Sequence, residues 1–468
     1  MTNNPMFSPF TYLIRRKELA SHLGKGLALL LGNELSSMNY AANYYPQFRQ
    51  DSTFLYYFGL DVPGLAAIVD LESGESILFG QEPTLDSMVW TGPEAGLDEL
   101  ASKCGVEKTL PIETLGEFLS LTGDRTVHYL PSYRPEHTIK YSTWLKKNSK
   151  EVKEGVSEAL IHTIIRQRST KVHAEIEQLD NAANVTHALH MTAMKYAKAG
   201  MKESDVVAEL YAIAMRETGY PSFPIICTVH GEILHNHHYH NNLKEGDLLL
   251  VDCGGESAMH YAGDMTRTFP VSASFTQKQK EVYQAVLDAS DQVVINLRPG
   301  VSYKEMHLLA ARVLTENLKA IGLMKGDVEE AVAHGAHALF FPHGLGHMLG
   351  LDVHDMENLG EDFVGYDSTT RRNPQFGLSA LRLGKELQAG YAITVEPGCY
   401  FIPGLIDNWK ASNKLEAFIN YEALESYRDF GGIRIEDDYI ITENGSRLLG
   451  TPVPRTIAEV EEVRGAAL

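Results

Sequence analysis

Two aspartates, Asp252 and Asp264, stand where carboxylates are costly. Asp252 closes an apolar run, Leu248-Leu249-Leu250-Val251, short and bounded as a buried strand is. Gly254-Gly255 permits a sharp turn, and a second extended run, 261–269, carries Asp264. Carboxylates on paired strands at the edge of an apolar core call for a cation, because unpaired buried charge is expensive. Four further stretches offer partners. HGLGHMLGLDVHD (343–355) sets histidines among glycines and aspartates with little helical regularity. ITVEPGCY (393–400) places Glu396 in an apolar run stopped by Pro397-Gly398, and GGIRIEDDYII (431–441) reads as one strand carrying Glu436. EILHNHHYH (232–240) is histidine-dense and reads for the most part as a solvated turn. Oxygen-rich donors with one imidazole suit a hard or borderline divalent ion, Mn²⁺ first, with Co²⁺ or Zn²⁺ as alternatives. Two such ions roughly 3.5–4 Å apart can share a hydroxide and carry out hydrolysis.

Taken singly, each residue has a plainer reading. An aspartate at a strand end forms turns, a glutamate on a strand sits at an exposed edge, and histidines among glycines are loop residues. The signal is the conjunction of Asp, Asp, His, Glu and Glu in that order, each in a distinctive setting.

The elements that must position these residues follow from the rest of the chain. At 468 residues two or three domains are expected. Residues 1–158 read as a separate α/β domain with buried strands at 27–31, 66–69 and 76–79, and an aromatic-rich stretch at 45–64 that reads as core packing plus a loop. Residues 159–468 read as an α+β catalytic domain, helices laid over a largely antiparallel sheet. Its helices are expected at 171–198, 203–218, 277–297 and 302–321, with a short terminal one from Thr456. Ser302-x-x-Glu305 and Thr456-x-x-Glu459 are capping-box patterns.

Bulk properties narrow the class. The charge of −20, from 41 basic and 61 acidic residues, argues against a phosphate-binding or nucleic-acid role. Cys104, Cys227, Cys253 and Cys399 form no CxxC pair, which suits a reducing compartment and no cysteine-based zinc site. The apolar run at 27–31 is too short to span a bilayer, so no membrane association is expected and the cytoplasm is the default.

These motifs resemble the pita-bread metallopeptidases, in particular the proline-specific branch that contains Xaa-Pro aminopeptidase and prolidase, and the likeness covers nearly the whole chain. RQDS (49–52) with FLYYFGLDVPG is similar to that branch's N-terminal domain, which methionine aminopeptidases of the same catalytic fold lack. HGLGHMLGLDVHD, TVEPGCY and GGIRIEDD are similar to its catalytic motifs. The resemblance implies two divalent ions, one held by Asp252, Asp264 and Glu436, the other by Asp264, His347, Glu396 and Glu436. It implies Glu396 as the proton-transferring carboxylate and His354 and His235 as histidines that contact substrate and the reacting centre. His343, Arg382, Tyr400 and Arg434 fall with substrate binding: Tyr400 as an aromatic near a proline pocket, Arg434 as a partner beside the bridging glutamate, Arg382 where some prolidases hold a terminal carboxylate.

The implied reaction is hydrolysis of the bond before a proline at position two of a peptide, by a homo-oligomer, dimer or tetramer. Xaa-Pro aminopeptidase is the first reading and Xaa-Pro dipeptidase the second. An inactive peptide-binding module and a creatinase are set aside because their ligand positions are empty, whereas all five are filled here. The spacing from Asp252 to Asp264 is one residue longer than the family pattern. A longer turn at 254–260 absorbs this, whereas an insertion within a strand would turn Asp264 to the wrong face.

Overall fold

The computed structural model describes residues 5–41 and 43–468, which form two compact units. The first runs up to Arg168 and takes in Asn358–Phe363, so the helix Glu158–Ser169 belongs with it in all but its last residue. Its five-stranded sheet has Leu27–Leu31 and Ala66–Asp70 at the centre, antiparallel to each other. Ser76–Gly80 continues antiparallel, while Lys108–Pro111 and Val127–His128 add parallel edges. Strands at 27–31, 66–69 and 76–79 follow from their apolar runs, and Leu29, Ile68 and Phe79 are buried with Leu115 and Tyr141 in one core. The stretch 45–64 packs inward as a helix, Ser52–Phe58, with all seven residues buried. The Asp51 carboxylate accepts one of the free N–H groups of its first turn, from Phe54, and Gly59 ends it in the left-handed region. A helix buried all round shows no 3.6-residue period, so the sequence reads as core and loop.

The second unit comprises Ser169–Glu357 and Val364–Leu468 and is α+β, as expected. Helices His173–Tyr196, Glu203–Glu217, Gln277–Val294 and Tyr303–Ala320 accompany short antiparallel sheets. The Thr456 capping box forms, but the one at Ser302 does not. The Ser302 hydroxyl donates instead to the Gly384 carbonyl at 3.1 Å, in a strand-like bridge to Glu386, so a tertiary contact takes the capping group.

Three antiparallel strand pairs, one of them a hairpin, carry the chemistry. Leu248–Cys253 pairs with Met265–Pro270 in unbroken register from Leu248↔Pro270 to Cys253↔Met265. Asp252 therefore faces Thr266, and Asp264 lies just beyond the last pair. The chain turns back between them with His260 at φ 67. At the crossing, a Cβ on Gly254 would lie 1.7 Å from the Gly263 carbonyl oxygen, so only glycine fits.

The run 431–441, read as one strand, is two. Gly432–Arg434 pairs with Gly398–Tyr400, and Asp437–Ile441 pairs with Ala392–Val395. Both partners change sheet at the same level, on one side at Glu396-Pro397 and on the other at Ile435-Glu436. Proline lacks the N–H a continuous ladder needs, and Glu436 bridges to Thr266 instead. The break thus brings both glutamates to the end of the strands that bear Asp252 and Asp264.

Candidate active site

Asp264, His347 and Glu436 each offer a ligand atom, and those atoms lie within 4.8 Å of one another. Three different elements supply them. The Asp264 N–H donates to the Asp438 carboxylate at 2.9 Å, which fixes the backbone where the hairpin turns. Glu436 accepts from the Thr266 hydroxyl at 2.7 Å. His347 sits on an irregular segment laid against Ala392–Val395. Its N–H donates to the Thr394 hydroxyl at 3.2 Å, and Met348 bridges Ile393. The His347 Nδ1 faces its neighbour's carbonyl at 3.0 Å, so that nitrogen carries the proton and Nε2 points at Asp264, 3.2 Å away. A buried ion pair, Lys171 to Asp355 at 3.0 Å, anchors the far end of the segment.

Asp252 and Glu396 flank this trio. Asp252 accepts from Arg434 through Oδ2 at 2.6 Å, while its Oδ1 is buried without a hydrogen-bond partner. Glu396 lies 3.8 Å from His347 Nε2 and 3.7 Å from His343 Nδ1. Burial pushes Asp252 up to about 6 against the pull of Arg434, and it pushes Glu396 up to about 7 against His347 and Arg434. Burial, with Asp264 and Glu396 close by, drives Glu436 well above the carboxylate range. His347 moves the other way: burial would depress it, but the hydrogen bond and charge of Asp264 outweigh that and raise it to about 9. Every one of these shifts reports a surplus of negative charge in a dry place. An orphaned buried carboxylate oxygen, crowded acidic groups and one imidazole are the donor set that fits divalent cations.

Arg434 ties the site to its support. Its guanidinium donates to Asp252, to the Thr266 hydroxyl at 3.0 Å and to the Tyr400 hydroxyl at 2.8 Å. Tyr400 in turn lies 2.8 Å from His343 Nε2. His343 Nδ1 faces the Gly344 carbonyl at 2.7 Å and so bears the ring proton. Tyr400 therefore accepts from Arg434 and donates to His343, a directed chain in which each bond polarises the next. Burial, together with Arg434, depresses His343 to about 3 and keeps it neutral.

Asp252, Asp264, His347, Glu396, Glu436, His343, His354, His235, Arg382 and Arg434 all line one cavity of about 390 Å³. Phe223, Pro224 and Leu234 give it an apolar wall. Tyr400 departs from the expected place at a substrate pocket: it is fully buried behind Arg434 and His343 and holds them. Arg434 reaches the cavity, but its donors are engaged by protein groups. Within 232–240, His235 and His237 line the cavity, and Asn236 is buried and bonds Thr228. Asp438, Thr266 and Glu357 were missed. Asp438 and Thr266 carried a signal, since each stands two positions from a candidate ligand and so shares its strand face. Glu357, three residues after His354, lies 3.3 Å from that ring and carried none.

Comparison with known proteins agrees with this geometry. Residues 177–443 match metallopeptidase family M24, and residues 12–128 match the aminopeptidase P N-terminal domain. Xaa-Pro dipeptidase of Homo sapiens is 32% identical over 466 residues, covering 96% of this chain and 92% of that one. Xaa-Pro aminopeptidase of Escherichia coli (strain K12) is 31% identical over 469 residues, covering 97% of each. The structure of E. coli aminopeptidase P with the inhibitor Pro-Leu aligns with TM-score 0.81 at 30% identity and covers 99% of both chains. With a family match over more than half its length and full-length relatives above 30% identity, the chain belongs to metallopeptidase family M24.

Proposed function

We propose that the protein is a dinuclear-metal Xaa-Pro aminopeptidase, releasing the N-terminal residue from peptides with proline at position two. The observation that carries the reading is the orphaned Asp252 Oδ1 beside the Asp264, His347 and Glu436 cluster at the floor of a peptide-sized cavity. Asp252, Asp264 and Glu436 would hold one divalent ion, and Asp264, His347, Glu396 and Glu436 the other, Mn²⁺ before Co²⁺ or Zn²⁺. Such ions supply an acidified water and charge for the developing oxyanion.

The chain's own groups do the rest. Glu396, at the level where the strands change sheet, accepts the water proton and returns it to the leaving proline nitrogen, which departs poorly unless protonated. His354 and His235 both line the cavity, and one of them would stabilise the oxyanion that forms on the scissile carbonyl. The acidic cluster receives the substrate's N-terminal ammonium. The apolar wall of Phe223, Pro224 and Leu234 suits a proline ring.

Arg382 favours a second reading, Xaa-Pro dipeptidase, because a guanidinium at the cavity can take a terminal carboxylate. A homo-oligomer, dimer or tetramer, acting in the cytoplasm completes the reading; among the described residues, no helix is long and apolar enough to cross a membrane. The test is a panel of Xaa-Pro dipeptides, Xaa-Pro-Xaa tripeptides and Xaa-Ala controls with Mn²⁺-loaded protein. Cleavage before proline that extends to tripeptides is expected. Turnover of dipeptides alone would select the second reading, and turnover of Xaa-Ala peptides as fast as Xaa-Pro would overturn both.

A further inference from the structure

Arg382 reaches the cavity already engaged. Its Nη1 donates to Glu357 Oε2 at 2.5 Å, and the same oxygen lies 3.3 Å from His354 Nδ1. The Glu357 side chain is 15% exposed against 34% for Arg382, so the contact is sheltered on the acid's side. Met356 just before it is fully buried at φ 64, a left-handed conformation that a long side chain adopts only where its surroundings impose it. Glu357 is thus aimed by the fold. Burial works against its charge, but the hydrogen bond to His354 and the charges of His354, His347 and Arg382 hold it below its ordinary range.

We infer that Glu357 sets the preference of the site between free dipeptides and longer peptides, by occupying the guanidinium that a terminal carboxylate needs. The inference rests on the proline-directed peptidase reading given above. A dipeptide ends in a carboxylate directly after proline. To reach Arg382 it must displace Glu357 or share the guanidinium with it, which puts two anions on one cation in a sheltered place. A longer peptide brings a neutral amide to the same spot and meets no such contest. Specificity of this kind is a difference of affinities set by a repulsive element as much as by an attractive one. Because Glu357 Oε2 also faces His354, the acid keeps a partner when the guanidinium is taken.

Ala-Pro and Ala-Pro-amide differ at the C-terminus in charge and little else, and they read the contest directly. The measured quantity is the free-acid to amide ratio, both of kcat/KM in Mn²⁺-loaded enzyme and of Kd by calorimetry. Glu357→Gln keeps the shape and an acceptor for Arg382 but removes the rival charge. It is expected to shift the ratio toward the free acid about tenfold, the factor that ~1.4 kcal/mol corresponds to, and chiefly through KM. In an Arg382→Ala background the same change should leave the ratio where Arg382→Ala alone puts it. Absolute rates fall in Glu357→Gln through His354, which is why the ratio is the readout. An unchanged or reversed ratio in Glu357→Gln overturns the inference, even where wild type cleaves both ligands and the proposed function stands. A shifted binding ratio with no hydrolysis by wild type would sink the proposed function and keep the inference.

Discussion

At the scale of single residues, the site is a set of carboxylates that the protein alone cannot neutralise. Glu396→Gln keeps size and loses the base, so turnover of an Xaa-Pro-Xaa peptide should fall roughly 10²–10⁴-fold, with weakened metal affinity on titration. His354→Ala should lower turnover roughly 10–100-fold with metal content intact; loss of metal from that variant would mean that His354 is a ligand. Asp438 is the residue whose weight the geometry reveals. Its carboxylate accepts the Asp264 N–H, and burial with Asp264 close by pushes it well above the carboxylate range. Asp438→Ala leaves that N–H unpaired at a cost of about 1–3 kcal/mol, visible in denaturant unfolding, and loosens metal binding. The neighbouring Asp437 pairs instead with Arg267 at 2.5 Å, so Asp437→Ala should lower stability with less effect on metal affinity.

At the scale of elements, the site exists because two strand pairs change sheet at one level and a hairpin closes beneath them. Gly254→Ala must push its Cβ into the Gly263 carbonyl and should cost at least ~2–3 kcal/mol in denaturant unfolding. Gly404→Ala is the control: nothing lies within 4 Å of its Cβ position, and alanine suits its helix, Pro403–Ala411, so stability should hold or rise. Much of this was legible in the sequence. The run ending at Asp252 and the strands at 27–31, 66–69 and 76–79 announce themselves by apolar length and turn boundaries, and the long helices by period and glycine stops. The break between Arg434 and Asp437 was not legible, because a run of alternating residues looks the same whether it pairs with one partner throughout or with two. The Ser302 capping box failed for a related reason: a local pattern gives no warning that Gly384 will claim the hydroxyl. Tyr400 shows the limit at a site, since the family resemblance places its ring near a proline pocket, while its hydroxyl is used to join Arg434 to His343.

At the scale of the whole molecule, two units with separate cores make a prediction about metal removal. The first unit's core, around Leu29, Ile68 and Phe79, contains none of the candidate ligands, all of which lie in the second unit. Chelation should therefore lower the thermal stability of the second unit, where the buried carboxylates then repel one another, and leave the first unit's transition in place; calorimetric scans with and without chelator read this. The most direct test of the central claim is activity across metal removal and return. Purified protein is stripped by exhaustive chelation, assayed on an Xaa-Pro-Xaa peptide, and assayed again after addition of Mn²⁺, beside an Asp264→Asn variant treated identically. The account predicts no turnover in stripped protein, recovery on adding Mn²⁺, and no recovery in Asp264→Asn. Full turnover by protein shown to be free of metal would contradict it.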